Sequence, residues 1–72
     1  MRELAQTFLA QGKTVRAAAL MMMLTETEPT SENLTLLADI YMQQGLFDDA
    51  AALYLRVVNM GLNEAAMHEK MQ

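Results

Sequence analysis

A segment repeated inside the chain constrains its fold more than any other feature. Residues 4–24 lie on residues 37–57 without a gap, at an offset of 33 residues. Eight pairs are identical: Leu4/Leu37, Ala5/Ala38, Gln11/Gln44, Gly12/Gly45, Ala17/Ala50, Ala18/Ala51, Ala19/Ala52 and Leu20/Leu53. Phe8/Tyr41 and Leu24/Val57 are conservative. A fixed period of this size belongs to stacked-helix arrays, in which one helical hairpin cannot bury its own apolar face and borrows a neighbour's.

The periodicity inside each unit is helical. In the second copy Leu34, Leu37, Ile40 and Tyr41 form one face. Ala50, Leu53, Tyr54, Val57 and Val58 follow i, i+3, i+4, i+7, i+8 on the next. Ala38 and Ala50 are small enough for close helix approach, and Gly45 suits the positive φ at which a helix stops. Leu4, Ala5 and Phe8 form the corresponding face of the first copy, with Gly12 as its stop.

Leu34-x2-Leu37-Ala38-x2-Tyr41, Gly45 and Ala50-x3-Tyr54 together resemble the tetratricopeptide repeat, whose pattern is W-x2-L-G-x2-Y, then A-x3-F, then P. The first copy has Leu4-Ala5-x2-Phe8, Gly12 and Ala17-x3-Met21, and closes on Pro29. Leu34 stands for the family's Trp, Ala38 for its Gly, Met21 for its aromatic residue and Leu62 for the second proline. The expected fold is all-α, antiparallel helix hairpins stacked as a short solenoid of about five helices. Repeat one spans about residues 1–30, repeat two about 31–62, and a polar capping helix 63–72, within one domain.

Along the chain, residues 2–11 should form the first helix and residues 15–25 the second, with Thr14 as its cap. Ser31 should cap a third over 32–44, and a fourth should start near Phe47 with Asp48 and Asp49 at its positive dipole end. Gly61 should close that helix and Asn63 open the last, whose apolar edge is Ala66, Met67 and Met71. His68 reads as a surface side chain. The Tyr54 ring should be buried.

The second helix is apolar on every side: residues 17–24 read AAALMMML. Either it is the centre of a small core, sandwiched by its partner and the next hairpin, or the surface built by Met22 and Met23 receives another chain, which unbranched thioethers suit well.

Composition narrows the function classes. Five basic residues face nine acidic ones, for a net charge of −4, with no basic cluster, which argues against nucleic acid and anionic membrane surfaces. The longest apolar run is far short of the ~20 residues that span a bilayer. Residues 1–13 lack the apolar core of a secretion signal. The chain is expected to be soluble, in the cytoplasm, or in the periplasm as part of a longer exported protein. Cysteine is absent. Gly12-Lys13-Thr14 lacks the earlier glycine of a phosphate loop, where Thr7 stands, and Asn33-Leu34-Thr35 places a glycosylation triplet on a buried helix face. No nucleophile, metal set or cofactor motif emerges, so an enzyme is not expected.

The resemblance implies a module that holds another polypeptide or self-associates. In that family the first helices of successive repeats line a concave groove that grips a peptide or helix. Carried onto this sequence, the groove residues are Arg2, Gln6, Leu9 and Ala10, then Thr35, Asp39, Met42 and Gln43. Apart from Arg2 they lack the Lys, Arg and Asn used to hold carboxylate tails of heat-shock chaperones. Leu9, Ala10 and Met42 suit an amphipathic helix instead. The small repeat-containing chaperones of bacterial secretion and pilus assembly resemble this chain, and a scaffold fragment or a self-stacking structural module is the alternative.

Overall fold

The computed structural model describes the backbone of residues 2–71 and the side chains of residues 2–62. Among these residues four helices follow one another: α1 (Arg2–Ala10), α2 (Thr14–Thr27), α3 (Ser31–Gln43) and α4 (Phe47–Met71). No strand occurs among the described residues. Helix α2 packs against both α1 and α3, and α4 packs on α3.

Both hairpin turns are built the same way, one period apart. Gly12 and Gly45 each take φ 77°, which L side chains adopt only at a cost. Around them the bonds of a Schellman motif form twice: Lys13 N to Phe8 O at 2.8 Å with Gly12 N to Leu9 O at 3.0 Å, and Leu46 N to Tyr41 O at 2.9 Å with Gly45 N to Met42 O at 3.1 Å. The Lys13 ammonium sits 5.9 Å over the Phe8 ring, fastening the first turn.

The junction between the hairpins uses different chemistry. Glu28 N closes α2 on Leu24 O at 2.8 Å. Pro29 then removes a backbone donor. Thr30, rather than Ser31, caps α3, its hydroxyl accepting from Asn33 N at 3.2 Å. Buried Asn33 donates its side-chain amide to Glu28 O at 2.9 Å, tying the start of α3 to the end of α2. Similarly, Thr14 is the first residue of α2 and not its cap, which is Lys13 without a side-chain bond.

The core is small and made largely of alanine and aliphatic side chains. Ala5, Ala17, Ala18, Met21, Leu24, Leu37 and Ile40 cluster, with Phe8, Leu9, Leu20, Leu36, Tyr41 and Leu53 packed against them. Met21, Leu34 and Ile40 are its largest fully enclosed side chains. Met21, in the place of the family's aromatic residue, fills that site because a flexible thioether adapts to an irregular gap.

Three expectations are corrected. Four helices form among the described residues, not about five: α4 is continuous for 25 residues, and Gly61 lies within it without the positive φ that would stop it. The side chains of the expected cap, including Asn63, Ala66, Met67, His68 and Met71, lie outside the described residues. Leu4 is exposed, because α1 turns Ala5, Phe8 and Leu9 towards its main neighbour α2. Tyr54 is only half-buried, and its hydroxyl donates to Asp39 Oδ1 on α3.

Candidate functional site

A hollow of about 520 Å³ opens over α3, lined by Arg2, Glu3 and Gln6 of α1, by Ser31, Glu32, Thr35, Leu36 and Asp39 of α3, and by Val57 of α4. Its geometry follows from the helix directions. The Arg2 guanidinium lies 3.6 Å from the Glu32 carboxylate, so the starts of α1 and α3 are side by side and the two helices present matching turns. Residues 2 and 6, and 32, 35 and 39, then fall on one face at i, i+3, i+4 and i+7 spacings. Both members of the Arg2–Glu32 pair are well exposed, so it contributes no more than about 1 kcal/mol.

Four of the groove residues expected from the sequence therefore meet: Arg2, Gln6, Thr35 and Asp39. Met42 and Gln43 lie further along α3, outside the hollow but exposed, Met42 at 44%. Ala10 is exposed near the end of α1. Leu9 departs from expectation, half-buried and packed against the core, since α1 needs it to widen an apolar face otherwise limited to Ala5 and Phe8. Glu3, Glu32, Leu36 and Val57 were not expected in the site. Glu32 was legible as a first-turn acid, but nothing in the repeat pattern brings Val57 of a second helix to the same hollow.

The electrostatics are mainly negative. Glu3, Glu32 and Asp39 line the hollow, with Arg2 as the one cation among its described lining residues. The Glu3 carboxyl is held below its ordinary value, chiefly by a hydrogen bond to its own backbone. The Tyr54 hydroxyl is pushed above its ordinary value, chiefly by its hydrogen bond to Asp39. No group of three or more His, Cys, Asp or Glu stands at metal-binding distance among the described residues.

Away from the hollow, α2 carries a second surface. Val15 is 73% exposed, Met22 50% and Met23 64%. With exposed Ala19 they follow i, i+4, i+7, i+8 along one face. The opposite face buries Ala17, Ala18, Met21 and Leu24. Helix α2 is thus sandwiched between α1 and α3 and still shows an uncovered apolar stripe.

The tetratricopeptide repeat family model matches residues 8–72, which takes in the end of α1 and all of α2, α3 and α4. The chain belongs to the tetratricopeptide repeat family. Members of this family generally mediate contacts between proteins, and they are typically non-catalytic interaction modules. No curated protein and no solved structure matches the chain at a significant level. No helix among the described residues is long and apolar enough to cross a membrane.

Proposed function

We propose that this tetratricopeptide repeat chain is a small adaptor or chaperone that holds a segment of another polypeptide in the groove over α1 and α3. The observation that carries this reading is the hollow itself: Arg2, Gln6, Thr35 and Asp39, from two helices one repeat apart, line a single concavity. Exposed Met42 extends it with an apolar contact suited to an amphipathic helix. The cytoplasm is the compartment we assign, with the periplasm as the alternative for a longer exported parent.

The test is substitution at Met42. Met42→Glu places a charge in the groove without touching the core, so binding to a partner isolated with the wild-type chain should fall while helix content by circular dichroism is unchanged. Leu9→Glu is the contrasting variant. It should lower stability by about 2–5 kcal/mol, because a half-buried core contact is lost and a charge is driven inward. Undiminished partner binding by Met42→Glu would remove the groove from consideration.

A second reading has its own observation, the exposed stripe of Val15, Ala19, Met22 and Met23. It favours a structural module whose copies pack on one another. Light scattering across a dilution series decides it: a dimer that Met22→Gln/Met23→Gln converts to a monomer supports self-assembly, and a wild-type monomer throughout rejects it.

A further inference from the structure

We propose that copies of this chain stack end to end, with α1 of one copy docking on the uncovered face of another copy's α4. The inference goes beyond the groove reading and uses neither the hollow over α3 nor the methionine stripe of α2.

The repeat itself marks where a helix fits. Hairpins α1–α2 and α3–α4 are equivalent, but α2 is packed by α3 as well as by α1, whereas the main neighbour of α4 is α3. Positions covered on α2 and open on α4 therefore trace the footprint of a following helix. On α2, Ala18 and Met21 are buried and Thr14 and Thr25 half-buried. One period later Phe47 is 61% and Val58 56% exposed, Ala51 is exposed and Tyr54 half-exposed. These last four follow i, i+4, i+7 and i+11, a single helix face. Phe47 and Val58 stand where α2 has threonines, so the open face is the more apolar of the two at those places.

Helix α1 has the matching surface. It is the repeat equivalent of α3, and Leu4 is the equivalent of Leu37, which belongs to one core cluster with Ala18 and Met21. Leu37 is 3% exposed and Leu4 48%. Laid on α4 as α3 lies on α2, the second copy's α1 brings Leu4 to Ala51 and Tyr54, as Leu37 meets Ala18 and Met21 one period earlier. Thr7, at the place of buried Ile40, can be covered without leaving a bare donor, because its hydroxyl already donates to Glu3 O at 3.0 Å. The occupant is thus a second copy, whose α1 continues the α2–α3 interface already present in the chain. Such a contact joins unlike surfaces, so each copy keeps one open end and association proceeds past the dimer. The α2–α3 contact forms within one chain, whereas its copy between chains depends on concentration.

Light scattering on the full chain across a dilution series reaching about 1 mM tests the proposal, and the mean mass should rise past that of a dimer. Ala51→Glu blocks the α4 end and Leu4→Glu the α1 end. Both side chains are exposed, so circular dichroism should show wild-type helix content. Each variant alone should be monomeric, and their mixture should form a one-to-one dimer and nothing larger, because each supplies the end that the other has lost. Met22→Gln/Met23→Gln should associate like the wild type. Association of either single variant with itself, or a mixture that stays monomeric, would show that α4 does not receive α1 and overturn the proposal. Loss of association in Met22→Gln/Met23→Gln would move the contact to α2 and overturn it too. A wild-type monomer at every concentration would overturn it while leaving the groove reading, which needs no second copy, standing.

Discussion

Residues 27–30 and residues 60–63 occupy the same place in the repeat, one period of 33 residues apart, yet a helix ends at the first and runs through the second. The difference lies in three substitutions. Pro29 becomes Leu62, so no backbone donor is lost and no ring clashes with the preceding turn. Thr30 becomes Asn63, a competent cap with no helix start to serve. Asn33, whose buried amide ties α3 back to Glu28 O, becomes Ala66, which has no amide. What remains at the second place is Gly61, and glycine stops a helix only when it takes the left-handed conformation, as Gly12 and Gly45 do. A glycine inside a helix lowers its stability by about 1 kcal/mol, too little by itself to break α4 at Gly61.

Restoring the proline should produce the largest effect. Leu62→Pro penalises the continuous helix by about 3 kcal/mol and biases Gly61 away from the helical region. Helix α4 should then end before residue 62, seen as lost ellipticity and as an interruption in backbone chemical shifts, with the α1–α3 core unchanged. Unaltered chemical shifts would mean that the chain already breaks there, and the contrast between the two places would vanish.

Removing the tie at the first junction comes next. Asn33→Ala deletes the donor to Glu28 O inside a buried site, which should cost about 1–3 kcal/mol by denaturant titration. Its backbone N–H remains available to Thr30, so α3 should keep its cap. A neutral result would leave Pro29 alone as the reason that α2 stops.

The glycines sharpen the comparison by sign. Gly45→Ala forces a Cβ into φ 77° and should destabilise by about 1–2 kcal/mol. Gly61→Ala has open space around the new methyl group and no positive φ, so it should stabilise by up to about 1 kcal/mol. Equal signs would show that Gly61 is a stop after all.

Much of this was legible in the sequence, and for identifiable reasons. The two hairpin turns were readable because Gly12 and Gly45 recur in register and each is followed by a helical period. The core positions Ala5, Ala17, Met21, Leu34 and Ala50 were readable because they combine small or apolar character with i, i+3, i+4 spacing. The start of α4 was readable from Asp48 and Asp49. Less legible were features that depend on what lies opposite. Leu4 and Leu37 are the same residue in the same pattern, yet Leu37 is buried and Leu4 is exposed, since α3 packs on both sides and α1 chiefly on one. Of the residues expected to line a groove, Arg2, Gln6, Thr35 and Asp39 meet in one hollow because helical geometry alone puts them on one face, but Leu9 could be placed only by knowing which way α1 rolls. Gly61 misled because a glycine's identity does not state its φ.

The same comparison explains Tyr54 and gives the smallest effect. Where a helix turns back after the repeat, as α3 does after α2, it can cover the face behind it; α4 runs straight and leaves Tyr54 half-exposed. Its stabilisation then comes from partial packing and from the hydroxyl that donates to Asp39. Tyr54→Phe keeps the ring and should cost less than about 1 kcal/mol, because water competes for an exposed hydrogen bond. The bond also predicts a titration. It raises the folded-state proton affinity of Tyr54, so its contribution is fully present below the ordinary tyrosine value near 10 and is lost as pH rises through the higher folded value. Asp39→Asn removes the negative acceptor and should bring the Tyr54 transition in an ultraviolet absorbance titration back towards the ordinary value. If a turned-back helix covered the ring instead, Asp39→Asn would leave Tyr54 high through burial alone, and α4 could not be the straight helix that distinguishes the second place in the repeat from the first.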